Sequence, residues 1–149
     1  KIVQIKHRPL NQPLLVVVAD WSMAKRYVYL KQSELDDIAK KFLPPVTIIL
    51  PQKRNKLPIL LTAGQAFLGV RVSACLVDQQ LSRQLDRPLV STSANLSGQS
   101  VCYSIQEVIE QFGQSMEQID LVLDAGQLSR QKPSTVVKII KDKIIVLRK

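Results

Sequence analysis

The sequence predicts an α/β fold: a mixed sheet with flanking helices. Three observations carry that expectation. A continuous valine-rich run from Leu14 to Ala19, set between Pro13 and Asp20, suits a strand buried on both faces. Later strand-like stretches alternate with stretches of helical period. Near the end, Thr135–Ile140 and Ile144–Leu147 read as a hairpin turning at Lys141 to Lys143.

The elements follow in order. Ser33 with Asp36, then Leu35, Ile38, Ala39 and Phe42 at helical spacing, predict a capped amphipathic helix that ends before Pro44 and Pro45. Val46–Leu50 is a short strand closed by Pro51, and Gln52–Pro58 is a basic loop. Gly69–Ser73 alternates as a strand does, and the next helix, Leu76–Leu85, carries Leu76, Val77, Leu81 and Leu85. Pro88 opens a strand at Leu89–Thr92 that runs into the small polar residues Ser93–Gly98. Ser104 and Glu107 form a capping box for a helix with Ile105, Val108, Ile109 and Phe112 on one face, stopped by Gly113. Leu121–Leu123 then leads into Asp124–Gly126, which reads as a turn.

At 149 residues the chain is expected to form a single domain, 1–149, around one core. Hydrophobic residues at 46% and charged residues at 22% exclude disordered and collagen-like classes. No apolar run approaches the roughly 18 residues that span a bilayer, and the start lacks a secretory pattern, so a soluble cytoplasmic protein with no membrane contact is expected. Cys75, Cys102 and His7 have no metal-ligand spacing, and both thiols read as small buried hydrophobes. A net charge of +9 points to an anionic partner, while the low aromatic content of 5% argues against a base-stacking RNA sheet.

Two clusters suit anion chemistry. Lys6, His7, Arg8 and Pro9 precede the first strand, and they read either as a solvated basic turn or as a clamp in which a point charge and a planar guanidinium meet phosphate or carboxylate. Val90–Gly98 offers several hydroxyls and an amide, which read either as a polar turn or as a cradle for a nucleotide or amino-acid substrate. Asp36, Asp37 and Asp124 have no partner at acid–base spacing and are expected to cap helices or form turns.

Taken together, KHRP, TSANLSG and PSTVV resemble the YrdC/Sua5/TsaC family of threonylcarbamoyl-AMP synthases. Other motifs fall in the same order: Phe42–Thr47 for an aromatic-Pro-Gly-Pro-x-Thr turn, Val70–Ser73 for V-R-x-P, Asp124–Gly126 for D-G-G, Ser134–Val137 for S-T-V-V, and Leu147 with Arg148 at the end. The resemblance implies a YrdC/RibB-like twisted mixed sheet and a K-x-R plus S-x-N tetrad at Lys6, Arg8, Ser93 and Asn95. It makes Lys6 and Arg8 the catalytic cations and adds Thr47, Arg71, Ser134 and Arg148 as ATP or substrate contacts. The implied substrates are L-threonine, bicarbonate and ATP with Mg2+, and no metal-ligand residue is assigned. The product would serve tRNA threonylcarbamoyladenosine formation, with tRNA or the modifying transferase complex as partner and the protein itself a monomer.

The departures are specific. The family's P-T-E-T-x-Y-G-L segment has no counterpart here, which implies an amino-terminally short member with weakened turnover. Ser73 and Ala125 replace a Pro and a Gly of the family motifs. A non-catalytic nucleotide- or RNA-binding module is the alternative. A related carbamoyltransferase domain reads T-S-G-N where this chain has Thr92, Ser93, Ala94 and Asn95, which favours the synthase.

Overall fold

β1 (Leu15–Val18) forms because three successive valines can be buried on both faces only inside a sheet, and Val16, Val17 and Val18 are almost wholly buried. The computed structural model describes residues 1–140 and 143–149. Around β1 lie β2 (Val46–Pro51), β3 (Phe67–Val72), β4 (Leu89–Ser91), β5 (Thr135–Ile140) and β6 (Lys143–Arg148), in the order β4-β1-β3-β2-β5-β6. β1 runs parallel to β3 and β2 parallel to β5, while β1/β4, β2/β3 and β5/β6 are antiparallel, so the sheet is mixed, as the sequence predicts. The terminal hairpin is present. Of its expected turn, Lys141 and Asp142 lie outside the described residues, and Lys143 pairs with Ile140 as the first residue of β6.

The helices are α1 (Ile2–Ile5), α2 (Trp21–Ala24), α3 (Gln32–Lys41), α4 (Ile59–Thr62), α5 (Leu76–Leu85) and α6 (Ile105–Phe112), the last followed by a 3-10 segment, Gly113–Gln118. The chain divides into two compact units. One comprises Lys1–Gln12 and Thr92–Lys132, and the other Pro13–Ser91 and Pro133–Lys149. The whole sheet core belongs to the second, where Ile48, Leu50, Leu68, Val70 and Val137 are fully or almost fully buried. Gly69 permits a close approach there: a Cβ on it would stand 3.2 Å from the Leu15 Cβ across the β1/β3 pair, tighter than ordinary contact. Among the described residues no helix is long and apolar enough to cross a membrane.

Several expectations need correction. α3 begins earlier than Ser33: Lys31 is the N-cap, and the Glu34 carboxylate accepts its N–H at 2.7 Å, so Ser33 and Asp36 sit inside the helix. Asp36 instead accepts from the Gln32 amide at 3.1 Å, one helical turn away. α1 and α4 are single turns too short to show a helical period in the sequence. α5 has the predicted bounds, yet Leu76, Val77, Leu81 and Leu85 are all exposed. The helix buries Ser82 instead, whose hydroxyl donates to the Arg87 carbonyl at 2.8 Å. Cys75 is exposed at the N-cap of α5, whereas Cys102 is buried as expected. Leu121–Leu123 is irregular and exposed, and Asp124 accepts the Gly126 N–H at 2.8 Å, making the expected turn. The box at α6 is offset: Ser104 Oγ accepts the Glu107 N–H, while the Glu107 carboxylate accepts from Tyr103.

Asp20 caps α2, accepting the Met23 N–H at 2.9 Å and the Ser22 hydroxyl at 2.5 Å. The Ser22 hydroxyl chiefly, then the Met23 N–H, hold its carboxyl below the usual carboxylate range. Its folded pKa lies below the unfolded one, so its stabilisation is full above the ordinary Asp range and is lost as pH falls through the folded value. Asp20→Ala is expected to lose about 1 kcal/mol at neutral pH. Thermal melts of the two proteins should converge in acid below that range, and identical melts at pH 7 would show that the cap contributes nothing.

Candidate functional site

In the first unit, Lys6 is the C-cap of α1, and His7 after it takes a positive φ of 50°, which turns the chain between Lys6 and Arg8. Lys6 is 4% exposed, against the expectation of an open cation. Its ammonium donates to the Ser93 carbonyl at 2.6 Å, to the Asn95 carbonyl, and to Asn95 Oδ1 at 3.3 Å. The Lys6 carbonyl in turn accepts the Ser97 N–H at 2.9 Å. The physical reason is local: a buried ammonium must find several acceptors, and the carbonyls of the turn after β4 supply them. Burial first, and the nearby Arg8 charge second, push the Lys6 pKa below the usual lysine value.

The Ser93–Cys102 loop is tied on every side. Ser93 Oγ donates to Asn95 Oδ1 at 2.6 Å, and Asn95 Nδ2 donates to the Gln99 carbonyl at 2.7 Å. Gln111 of α6 accepts the Leu96 N–H at 2.6 Å and donates to the Ser100 carbonyl at 3.0 Å. Cys102 donates its N–H to the Ala94 carbonyl at 2.9 Å, and burial pushes its thiol pKa up. Nothing in the sequence marks Gln111 of α6 as a brace of this loop, because a single Gln on a helix carries no spacing signal. Arg8 is half-buried, and its Nε lies 3.4 Å from the Gln12 carbonyl. The structure therefore brings Lys6, Ser93 and Asn95 into direct contact and keeps Arg8 within the same electrostatic field.

In the second unit, Thr47, Arg71, Ser134 and Arg148 come together at one end of the sheet. Thr47 is the second residue of β2, which pairs with β5 just after Ser134, and the Thr47 and Ser134 hydroxyls lie 3.3 Å apart, both buried. Arg148, at the end of β6, donates from Nε and Nη2 to the Ser134 carbonyl at 3.1 and 3.0 Å. Arg71 is half-buried on β3. Its pKa is pushed down by burial first and also by the Arg148 charge, while Asp78 pulls it up. Among the described residues no protein acceptor hydrogen-bonds the Arg71 guanidinium. A half-desolvated cation beside a second arginine is a place for an anion. An apolar cleft of about 430 Å³ lined by Trp21, Leu35, Phe42, Pro45, Val46 and Ser73 opens at the same sheet end. No three His, Cys, Asp or Glu side chains converge among the described residues.

A mixed six-stranded sheet with these two net-basic polar clusters defines an α/β protein whose polar groups sit on strand ends and loops. A family model named for Sua5, YciO and YrdC, described as telomere recombination, matches residues 1–149. The threonylcarbamoyl-AMP synthase of Idiomarina loihiensis is 32% identical over 147 residues, covering 97% of this chain and 77% of the relative. The structure of P. abyssi Sua5 complexed with L-threonine superposes with a TM-score of 0.83 at 28% identity, over 99% of this chain and 42% of that one. E. coli YciO superposes with a TM-score of 0.80 at 25% identity, over 99% of this chain and 70% of that one. The chain belongs to the Sua5/YciO/YrdC family.

Proposed function

We propose that the protein is a threonylcarbamoyl-AMP synthase, a nucleotidyltransferase that condenses L-threonine, bicarbonate and ATP to threonylcarbamoyl-AMP and pyrophosphate for tRNA threonylcarbamoyladenosine formation. The observation that carries the reading is the meeting of Lys6 with Ser93 and Asn95, residues far apart in sequence, in a chain whose relatives bear that enzyme name. The threonine amine and bicarbonate give a carbamate, with loss of one water. A carbamate oxygen attacks the α-phosphorus of ATP, and pyrophosphate leaves. Negative charge builds on phosphate oxygens, which preorganised cations stabilise without supplying a nucleophile.

The geometry supports a role for each residue in this reading. Arg8 is the direct phosphate contact of the first unit. Lys6, spent on three protein oxygens, holds the Ser93–Asn95 turn in place and adds its charge to the local field. Ser93 Oγ and the remaining lone pairs of the turn orient ligand oxygens, a positioning role that needs no shifted pKa. In the sheet cluster Arg71 takes an anionic oxygen, while Arg148 is held by Ser134 and Thr47 sits against that serine. Mg2+ carried by the phosphates of ATP would offset part of their charge, as in other phosphoryl chemistry.

One observation favours a second reading, the binding module without turnover: the Lys6 ammonium is already saturated by protein acceptors. The two readings separate in one assay. Pyrophosphate release from ATP that requires both threonine and bicarbonate, with threonylcarbamoyl-AMP detected by mass spectrometry, is the result expected of a synthase. ATP binding without such release would support the module instead.

A further inference from the structure

At the far end of β2, roughly 13 Å along the strand from Thr47, a cleft of about 610 Å³ lies between the segments 25–34 and 51–53. Its walls are firmly built. The bridge between Val28 and Gln52, the Tyr29 N–H to the Pro51 carbonyl at 2.9 Å and the Lys53 N–H to the Tyr27 carbonyl at 2.7 Å stitch the two segments together. Lys53 Nζ donates to the Lys25 carbonyl at 2.6 Å, which fixes its ammonium 5.7 Å from the centre of the Tyr29 ring. Tyr29 is 63% exposed, so its side chain is open to a ligand.

The charge is one-sided. Lys25, Lys31 and Lys53 line the cleft against one carboxylate, Glu34, which accepts the Lys31 N–H at 2.7 Å. The exposed Arg54 and Lys56 of the following loop extend the positive field. A fixed, exposed aromatic face beside several ammonium groups, in a cleft of ligand size, matches one chemistry: a planar base carrying a phosphate.

We propose that this cleft binds a nucleotide unit, free or within an RNA strand, with the base stacked on Tyr29 and the phosphate on Lys53, Lys25 and Lys31. The site is separate from the Thr47–Arg71–Arg148 cluster and independent of whether the protein makes threonylcarbamoyl-AMP.

The test is fluorescence anisotropy of a fluorescein-labelled ten-nucleotide oligouridylate at low salt. Tyr29→Ala is expected to weaken binding about tenfold, as removal of one stacking platform does, while Tyr29→Phe stays within about twofold of wild type. Lys53→Ala should weaken binding and flatten the salt dependence by about 0.7 in the log–log slope for each phosphate no longer neutralised. Lys132→Ala, outside this unit, should leave affinity within about twofold. Circular dichroism melts establish that each variant folds. Tyr29 is exposed enough for its variants to do so, and Lys53→Gln replaces Lys53→Ala if the missing bond to Lys25 unfolds it. Displacement of the Tyr29-dependent signal by AMP assigns a free nucleotide, and retained oligouridylate binding without displacement assigns the strand. Wild-type affinity in Tyr29→Ala, or equal weakening in Lys53→Ala and Lys132→Ala, would overturn the proposal in favour of diffuse charge attraction.

Discussion

Lys6→Ala is expected to lower the unfolding free energy by about 2–4 kcal/mol, a large effect for one lysine. The wild-type ammonium serves three oxygens in a nearly closed site, and truncation leaves the Ser93 and Asn95 carbonyls short of a donor while opening a cavity the length of the stem. Lys6→Met, which keeps the stem, should recover only the packing share. Arg8→Ala should stay within about 0.5 kcal/mol of wild type, because that side chain is only half-buried. The sign of the pH effect is fixed as well. The folded pKa of Lys6 lies below its unfolded value, so the folded state holds this proton less tightly, and the cost of burying the charge is relieved as pH rises from the lowered value to the ordinary lysine range. Urea denaturation across that alkaline window should show a stability slope in wild type that Lys6→Met lacks. A Lys6→Ala protein as stable as wild type would sink the account.

Arg71→Ala is expected to behave in the opposite way, cutting threonine- and bicarbonate-dependent pyrophosphate release about a hundredfold while leaving stability unchanged or slightly raised. The guanidinium makes no protein hydrogen bond among the described residues and is half-desolvated; Asp78 favours its charge and Arg148 opposes it, with burial the largest influence, so the fold gains little from that charge. Its removal costs only what an anionic ligand would have gained from it. Arg71→Lys should restore little, since an ammonium cannot reproduce the planar fork. Turnover and melting temperature measured together decide this. Unchanged turnover with lowered stability would make Arg71 a structural residue and remove it from the site.

These contrasting outcomes could not be read from the sequence, where Lys6 and Arg71 look alike as basic residues beside strands. The strands with strong patterns were legible: Leu14–Ala19 needed two buried faces, and Val46–Leu50 ended at a proline. α5 was legible in its bounds but not in its burial. Helical period shows where apolar residues fall on the helix, and nothing local announces that the sheet-facing position is the small Ser82. The convergence of Thr47, Ser134 and Arg148 depends on β2 pairing with β5 and β5 with β6, a register fixed by tertiary packing, and only the resemblance placed them together beforehand. Of the Lys25–Tyr29–Lys53 cleft the sequence shows only a basic loop, because half of it lies in a segment with no pattern at all.

The sheet order also dictates when this sheet can close during synthesis. β1, β2, β3 and β4 all precede residue 92, and as they emerge they can already pair with one another, but β2 must wait for β5, whose Thr135 partners Val46. Until β5 is translated, one edge of β2 presents unpaired N–H and C=O groups beside the buried side chains of Ile48 and Leu50, the kind of edge that recruits a second nascent chain. Two parallel pairings closed across long stretches of chain also slow refolding from denaturant, so a lag between early helix signal and final sheet formation is built into this topology.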